Sequence, residues 1–260
     1  MRDWILAETN YGRLKDNPCD VAVLPMGATE PHNLHLPYGT DTYQSLTIAE
    51  LACETAFRRG ARVVMLPAIP FGTQTNMREF PLAVNLMPST LAAVIGDVVD
   101  SLAQSGIEKL VVLNGHGGND FKPVLRELYG QTPVHVFLCD WFCGLSADVQ
   151  RTIFDDPGDH AGEMETSLML AYFGDLVATD DDGRLRADDG EANPTRFEAV
   201  ENRWVTITRP WHLLTTNAGC GNPHSATADK GRKLMETLVE RLSAFLVQLA
   251  DEPVDERFPY

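Results

Sequence analysis

Four short apolar runs, separated by stretches of helical periodicity, constrain the fold of this chain more than any other feature. The runs cover residues 21–24, 62–66, 109–113 and 134–138. Between them, residues 42–59, 89–104 and 120–129 repeat apolar side chains at helical spacing, with Pro88 standing just before the second stretch. Strands that are apolar without alternation are buried on both faces, and that requires helices on both sides of a parallel sheet. The expected class is therefore α/β, with a mostly parallel central sheet. Residues 163–173 and 226–249 add helices, while residues 203–208 read as a strand outside the repeat. No linker or internal repeat divides the 260 residues, so a single domain over 1–260 is expected.

Charge narrows the partners. The chain has 21 Lys and Arg against 37 Asp and Glu, a formal net charge of −16. Nucleic acid and anionic membranes are gripped by a basic face, so neither is expected as a partner, and a small molecule is. No run approaches the ~18 apolar residues of a membrane span, and residues 1–10 lack the pattern of a secretory signal, which leads to a cytoplasmic expectation. Five scattered cysteines, an odd number, fit a reducing compartment. Cys139 and Cys143 lack a second Cys/His pair and read as small buried residues beside Trp141. The surplus acid is uneven: residues 175–201 hold nine acidic residues against three arginines, and residues 251–257 hold four against one. The stretch through Asp180, Asp181, Asp182, Asp188 and Asp189 reads as a solvated excursion away from the chemistry.

Three polar segments carry that chemistry. The first runs from Thr29 to Asp41. On extended backbone Glu30 and His32 point the same way, and the Pro37-Tyr38-Gly39 turn can return Asp41 towards them. A mixed carboxylate and imidazole set suits Zn²⁺ or Mn²⁺ better than Ca²⁺. The second segment, Asn114-Gly115-His116-Gly117-Gly118-Asn119-Asp120, directly follows a strand run and leaves His116 as the one residue able to ligate or move a proton. A phosphate-cradling loop is the rival reading, but neither of the usual glycine spacings is present. The third segment places Asp159, His160, Glu163 and Glu165 at the start of an apolar helix. Acids in a first turn also serve as dipole partners.

Taken together, Glu30-x-His32 with His35-Leu-Pro-x-Gly-Thr-Asp41, then Asn114-Gly-His116-Gly-Gly-Asn119, then His160-Ala-Gly-x-x-Glu165-Thr-Ser resemble the creatininase (creatinine amidohydrolase) family in order and spacing. The resemblance extends over residues 15–250. It implies a three-layer α/β/α sandwich, a homohexamer, and two divalent metal ions per subunit, Zn²⁺ first with Mn²⁺ or Fe²⁺ as alternatives. By motif position Glu30, His32, Asp41 and His116 resemble metal ligands, with Asp41 as the bridging carboxylate. His160 resembles the residue that handles protons, and Asp159 beside it is the candidate orienting partner. Two departures matter. Gly117 and Gly118 stand where creatininase has Tyr and Glu, and that Glu is a ligand; Glu165 is inferred to supply the missing carboxylate, with Glu163 the nearest competitor. Pro31 and Asn33 replace Gln and Gly, and Asp156 stands where creatininase packs a tryptophan on its substrate. Creatinine is therefore not the expected substrate.

The resemblance implies a hydrolase in which hydroxide generated between two ions attacks a carbonyl carbon. Asn76, Gly117 and Gly118 are the candidate substrate-binding positions. Thr73, Gln74, Thr75 and Asn76, with Arg78 and Glu79, offer many hydrogen-bonding groups, which suits a hydroxylated ring such as a keto-inositol. A small cyclic amide or a formamide is the alternative substrate, and a non-catalytic sugar- or nucleotide-binding protein the alternative class. Asn114 and Asn119 either shape the site or close the glycine loop, and His35 is expected to hydrogen-bond behind the ligands. Arg196, Trp204 and Trp211 can reach a site or pack at an interface; periodicity does not decide.

Overall fold

The computed structural model describes residues 2–260. Four parallel strands, β1 (Val21–Met26), β2 (Val63–Met65), β3 (Lys109–Asn114) and β4 (His135–Asp140), form one sheet in the order β2-β1-β3-β4. The helices are α1 (Tyr11–Asp16), α2 (Thr40–Arg58), α3 (Pro88–Gln104), α4 (Lys122–Leu128), α5 (Ala147–Ile153), α6 (Glu163–Tyr172), α7 (Glu198–Glu201), α8 (Trp211–Leu214) and α9 (Ala228–Asp251).

Alternate strand residues face opposite layers, as the two-residue period of a strand requires. Val21, Val23, Val63, Met65, Val111 and Leu113 pack with α2, α6 and α9 through Ile48, Ala52, Leu168, Leu234, Leu238 and Leu242. Ala22, Leu24, Met26, Val64, Leu110 and Val112 pack with α3 and α4 through Leu91, Ile95, Val99 and Val124. The result is the three-layer α/β/α sandwich. Both faces of β1 and β3 are dry, which is why β1 is apolar throughout and β3 is apolar between Lys109 and Asn114. β4 lies at the sheet edge and is half-buried throughout.

Connectivity places the site. The chain leaves β1 through α2 to β2 on one side, then crosses through α3 to β3 on the other. Where successive connections diverge in this way, a crevice opens beyond the carboxyl ends of the strands. The register pairs Met26 with Asn114, so the segments that begin at Gly27 and Gly115 leave the sheet side by side.

Three expectations are corrected. Residues 203–208 form no strand; Trp204, Val205 and Ile207 are exposed and no strand lies beside them, so their β propensity is unused. α4 starts at Lys122 rather than at 120, with Pro123 in its first turn, where a missing N–H costs nothing. Trp141 is fully buried, but Cys143 is exposed and Cys139 half-buried. Among the described residues no helix is long and apolar enough to cross a membrane.

Leu238 of α9 is fully buried in the layer against α2 and the sheet. Leu238→Ala is expected to lower the unfolding free energy by about 2–5 kcal/mol, because the rigid surroundings leave a cavity; urea titration measures it.

Candidate metal centre

The first segment leaves β1 and folds back on itself, with His32 bridged to Leu36, before Gly39 caps α2. This return puts Asp41 in the first turn of α2, where the helix dipole favours an anion. Glu165 occupies the first turn of α6 in the same sense. Glu30, His32, Asp41, His116 and His160 are all buried. Ligand atoms of Glu30, Asp41 and His116 lie within 4.8 Å of one another, as do those of His32, Asp41 and Glu165, so Asp41 belongs to both groups. Glu30, His32 and His160 form a third such group.

Backbone carbonyls fix the histidines. His32 donates its Nδ1–H to the Glu30 carbonyl at 3.0 Å, which turns Nε2 to within 3.0 Å of Asp41 Oδ1. His116 donates its Nε2–H to the Thr73 carbonyl at 3.0 Å. Its Nδ1 then stands 3.0 Å from Glu30 Oε1 and 3.1 Å from Asp41 Oδ2. His160 donates Nε2–H to the Pro31 carbonyl at 2.9 Å, leaving Nδ1 3.9 Å from Glu30 Oε1. A carbonyl can only accept, so each of these nitrogens carries the hydrogen, and in the neutral ring the other nitrogen presents a lone pair.

These lone pairs face carboxylate oxygens, an arrangement that repels unless a proton or a cation lies between them. Burial alone would lower the pKa of His32, but the Asp41, Glu165 and Glu30 carboxylates overcome it and raise the value to about 9. His116 is likewise raised, against its own desolvation, by Glu30 and Asp41. Glu30 and Asp41 are held below the usual carboxylate range: burial opposes their ionisation, but His116 favours it at Glu30, and His32 and His116 favour it at Asp41. Glu165 keeps some exposed surface as a residue, yet its carboxyl is enclosed enough for desolvation to raise its pKa. Asp41 Oδ2, buried, receives no aligned hydrogen bond. Among the described residues no Lys or Arg forms an ion pair with Glu30, Asp41 or Glu165. An acceptor-only, N/O donor set of this kind fits divalent cations of the Zn²⁺ and Mn²⁺ class.

Other residues fall into supporting places. Glu163 turns away from the group: its carboxylate pairs with Lys230 of α9 and accepts the Asp156 N–H at 2.9 Å. Asp159 does not touch His160; its carboxylate pairs with Arg209 at 2.8 Å and is exposed. The neighbour of His160 is Trp211, whose ring stands edge-on at 4.9 Å between centroids, while Arg209 lies over the indole at 5.2 Å. The His32 ring also packs against His160, at 4.1 Å between centroids. His35 is buried, bonds Thr166 Oγ1 at 2.8 Å, and is pushed down to about 4 by burial and by His32. Asn76 is half-buried in the turn Thr75–Met77, and Gly117 and Gly118 are exposed. Arg196 and Trp204 are exposed on the late excursion. That excursion is not remote from the motifs. Asn33, at φ 54°, donates Nδ2–H to the Asp188 carbonyl at 3.0 Å and accepts the Asp188 N–H at 3.3 Å.

The carbonyls of Pro31 and Thr73 carry no signal in a sequence, because every residue has one. Trp211 lies 51 positions beyond His160, outside any shared periodicity.

The sequence profile of the family described as Creatininase, creatinine amidohydrolase, matches residues 7–246. The chain belongs to the creatininase family. It is 26% identical over 224 residues to the mycofactocin precursor peptide peptidase of Mycobacterium ulcerans (strain Agy99), covering 84% of this chain and 81% of that one. Creatinine amidohydrolase of Pseudomonas putida is 31% identical over 179 residues, 62% of this chain and 67% of its own. The 3-dehydro-scyllo-inosose hydrolase of Thermotoga maritima is 26% identical over 173 residues, 64% and 53% of the two chains. A crystal structure from Bacteroides fragilis NCTC 9343, named for creatinine amidohydrolase, superposes with a TM-score of 0.89 at 36% identity, covering 98% of this chain and 100% of that one. These creatininase-family relatives are hydrolases, and the chain is a metal-dependent hydrolase of the same family.

Metal uptake by the stripped protein is expected to release protons at pH 7, because His32 with a pKa of about 9 and the raised His116 must give theirs up. The raised histidines bind protons below their pKa, so metal affinity is expected to rise with pH through the neutral range and up to about 9, where His32 is half-deprotonated. Calorimetry in buffers of different ionisation heat counts the protons released.

Proposed function

We propose that this creatininase-family chain holds two divalent ions, Zn²⁺ first with Mn²⁺ or Fe²⁺ as alternatives, and hydrolyses an amide bond at the carbonyl carbon of a small molecule. The carrying observation is the pair of donor groups that share Asp41: Glu30, Asp41 and His116 on one side, His32, Asp41 and Glu165 on the other. Two such ions, when bound, acidify a water molecule and polarise a carbonyl. The chain's own residues do the rest. The Pro31 carbonyl keeps hydrogen on His160 Nε2, so Nδ1 is the atom free to take a proton and return it to the leaving nitrogen. Trp211 and His32 both pack against the ring, which limits its rotation. The Asn114–Asn119 loop holds His116 and leaves Gly117 and Gly118 exposed beside it.

An amide is placed first because relatives named for creatinine amidohydrolase and for a peptide peptidase both act on one. The Thermotoga maritima relative favours a second reading, a hydroxylated cyclic ketone. Its support from the 73–76 segment weakens, since the buried Gln74 donates its side-chain amide to the Thr29 and Val84 carbonyls. We also propose assembly with further copies of the chain, a homohexamer by analogy with the family. Exposed Phe197, Trp204, Val205 and Ile207 offer apolar surface for it, and light scattering measures the state.

Protein stripped by chelator and reloaded with Zn²⁺ or Mn²⁺ is expected to hydrolyse at least one of a cyclic amide, a formamide, a short peptide or a cyclic hydroxyketone, with activity absent before loading. His160→Ala is expected to keep its metal and lose about 10²–10⁴ in kcat. Glu30→Gln and His116→Ala are expected to lose metal as well as activity, as is Glu165→Gln, whereas Glu163→Gln keeps both ions. A metal-free protein that takes up none of these ions overturns the proposal.

A metal concentration about 100 times Kd is expected to add ~2.7 kcal/mol to the unfolding free energy. Thermal melts with and without chelator measure the difference.

A further inference from the structure

The turn after β2 is tied up by the loop after β3. Thr73 donates its N–H to Asn119 Oδ1 at 2.9 Å, and its carbonyl accepts Nε2–H of His116 at 3.0 Å. The main chain of one residue is thus gripped on both sides by residues three apart on a single loop. That loop cannot give way easily. Asn114 Oδ1 accepts from the His116 N–H at 3.2 Å and from Asn119 Nδ2 at 3.1 Å, while Asn114 Nδ2 donates to the His116 carbonyl at 3.0 Å and to Asp140 Oδ1 at 2.8 Å.

Glycine clears the space for this contact. A Cβ on Gly118 would overlap the Thr73 carbonyl oxygen and His116 Nε2, the two atoms of the hydrogen bond itself. A Cβ on Gly72 would come within 2.6 Å of Asn119 Oδ1 and 3.0 Å of His116 Cδ2. Gly117 faces open space, and neither Gly117 nor Gly118 has a positive φ, so only the room around them tells them apart.

We propose that Thr73 and Gly118 are positioning residues for His116: the Thr73 carbonyl, in the room left by Gly118, keeps hydrogen on Nε2 and turns the bare Nδ1 towards Glu30 and Asp41. The proposal rests on the metal-centre reading above. Without that carbonyl the two tautomers of an imidazole are close in energy, and in the form with hydrogen on Nδ1 the lone pair sits on Nε2, away from Glu30 and Asp41. The turn after β2 therefore belongs to the metal centre. A side chain at 118, a carboxylate included, displaces the carbonyl that orients the ligand.

Full-length Gly118→Ala and Gly117→Ala, stripped and titrated with Zn²⁺, test this by calorimetry and metal analysis. Gly117→Ala is expected to bind as the native chain does. Gly118→Ala is expected to bind one of its two Zn²⁺ equivalents about 10–100-fold more weakly, the usual cost of losing a partner behind a ligand, with its circular dichroism unchanged. Should Gly118→Ala fail to fold, Asn119→Ala carries the test, since it frees the Thr73 N–H without adding an atom; the same weakening of one equivalent is expected. Native Zn²⁺ affinity in a folded Gly118→Ala, or in Asn119→Ala where it stands in, overturns the proposal, as does equal weakening in Gly117→Ala. A native chain that takes up no Zn²⁺ removes the metal-centre reading, and this proposal falls with it.

Discussion

Glu30, Asp41 and Glu165 converge in one place without, among the described residues, a lysine or arginine to pair with them. Each enclosed carboxylate that stays charged costs several kcal/mol unless something compensates it. Helix N-termini help at Asp41 and Glu165, but such dipoles contribute only about 0.3–1 kcal/mol each. Protons on His32 and His116 are one compensation, and divalent cations are a stronger one. The strands, the folded-back first segment and the late helix α6 hold these acids together, in a donor set of the kind that suits a cation. Such a group is poorly explained as part of a stable core and well explained as a receptor for positive charge.

A parallel sheet is suited to that task because it delivers several chain segments to one edge of the molecule. β1 and β3 run in register to their ends, so two of the three polar segments meet without long excursions. The third arrives from α6, packed on the layer that also holds α2 and α9. The orientation of the ligands then depends on main-chain carbonyls at Glu30, Pro31 and Thr73. Main chain anchored by the fold is a stiffer reference than a side chain with several rotamers, and the histidines gain their directionality from it.

Apolar runs and helical periods were enough to read the layers, because burial on two faces leaves a plain compositional trace. Residues 203–208 misled for the complementary reason. Val205 and Ile207 have β-branched side chains, but a strand also needs a partner, and partnership is not encoded locally. Side chains that carry chemistry left a readable trace: Glu30, His32 and Asp41 come together as their spacing suggested, and His116, which only the family resemblance joined to them, lies with Glu30 and Asp41. The preference for Glu165 over Glu163 rests on the family resemblance alone, since either acid suits a first helical turn; the structure adds that Glu163 is engaged by Lys230. Asp159 beside His160 looked like a natural partner, yet adjacent residues on this backbone diverge and Arg209 takes it. Gly117 and Gly118 are identical letters with different surroundings.

Asn33 gives the acidic excursion a role that its composition hides. A side-chain amide that exchanges two hydrogen bonds with the Asp188 backbone behaves like one more rung of a sheet, and it sits one residue from His32. Loops of such composition are usually free to lengthen, shorten or diverge. Here a change of length in the 180s would be felt at the loop that carries His32, so trimming or grafting this stretch would disturb the group of buried acids and histidines rather than a free surface.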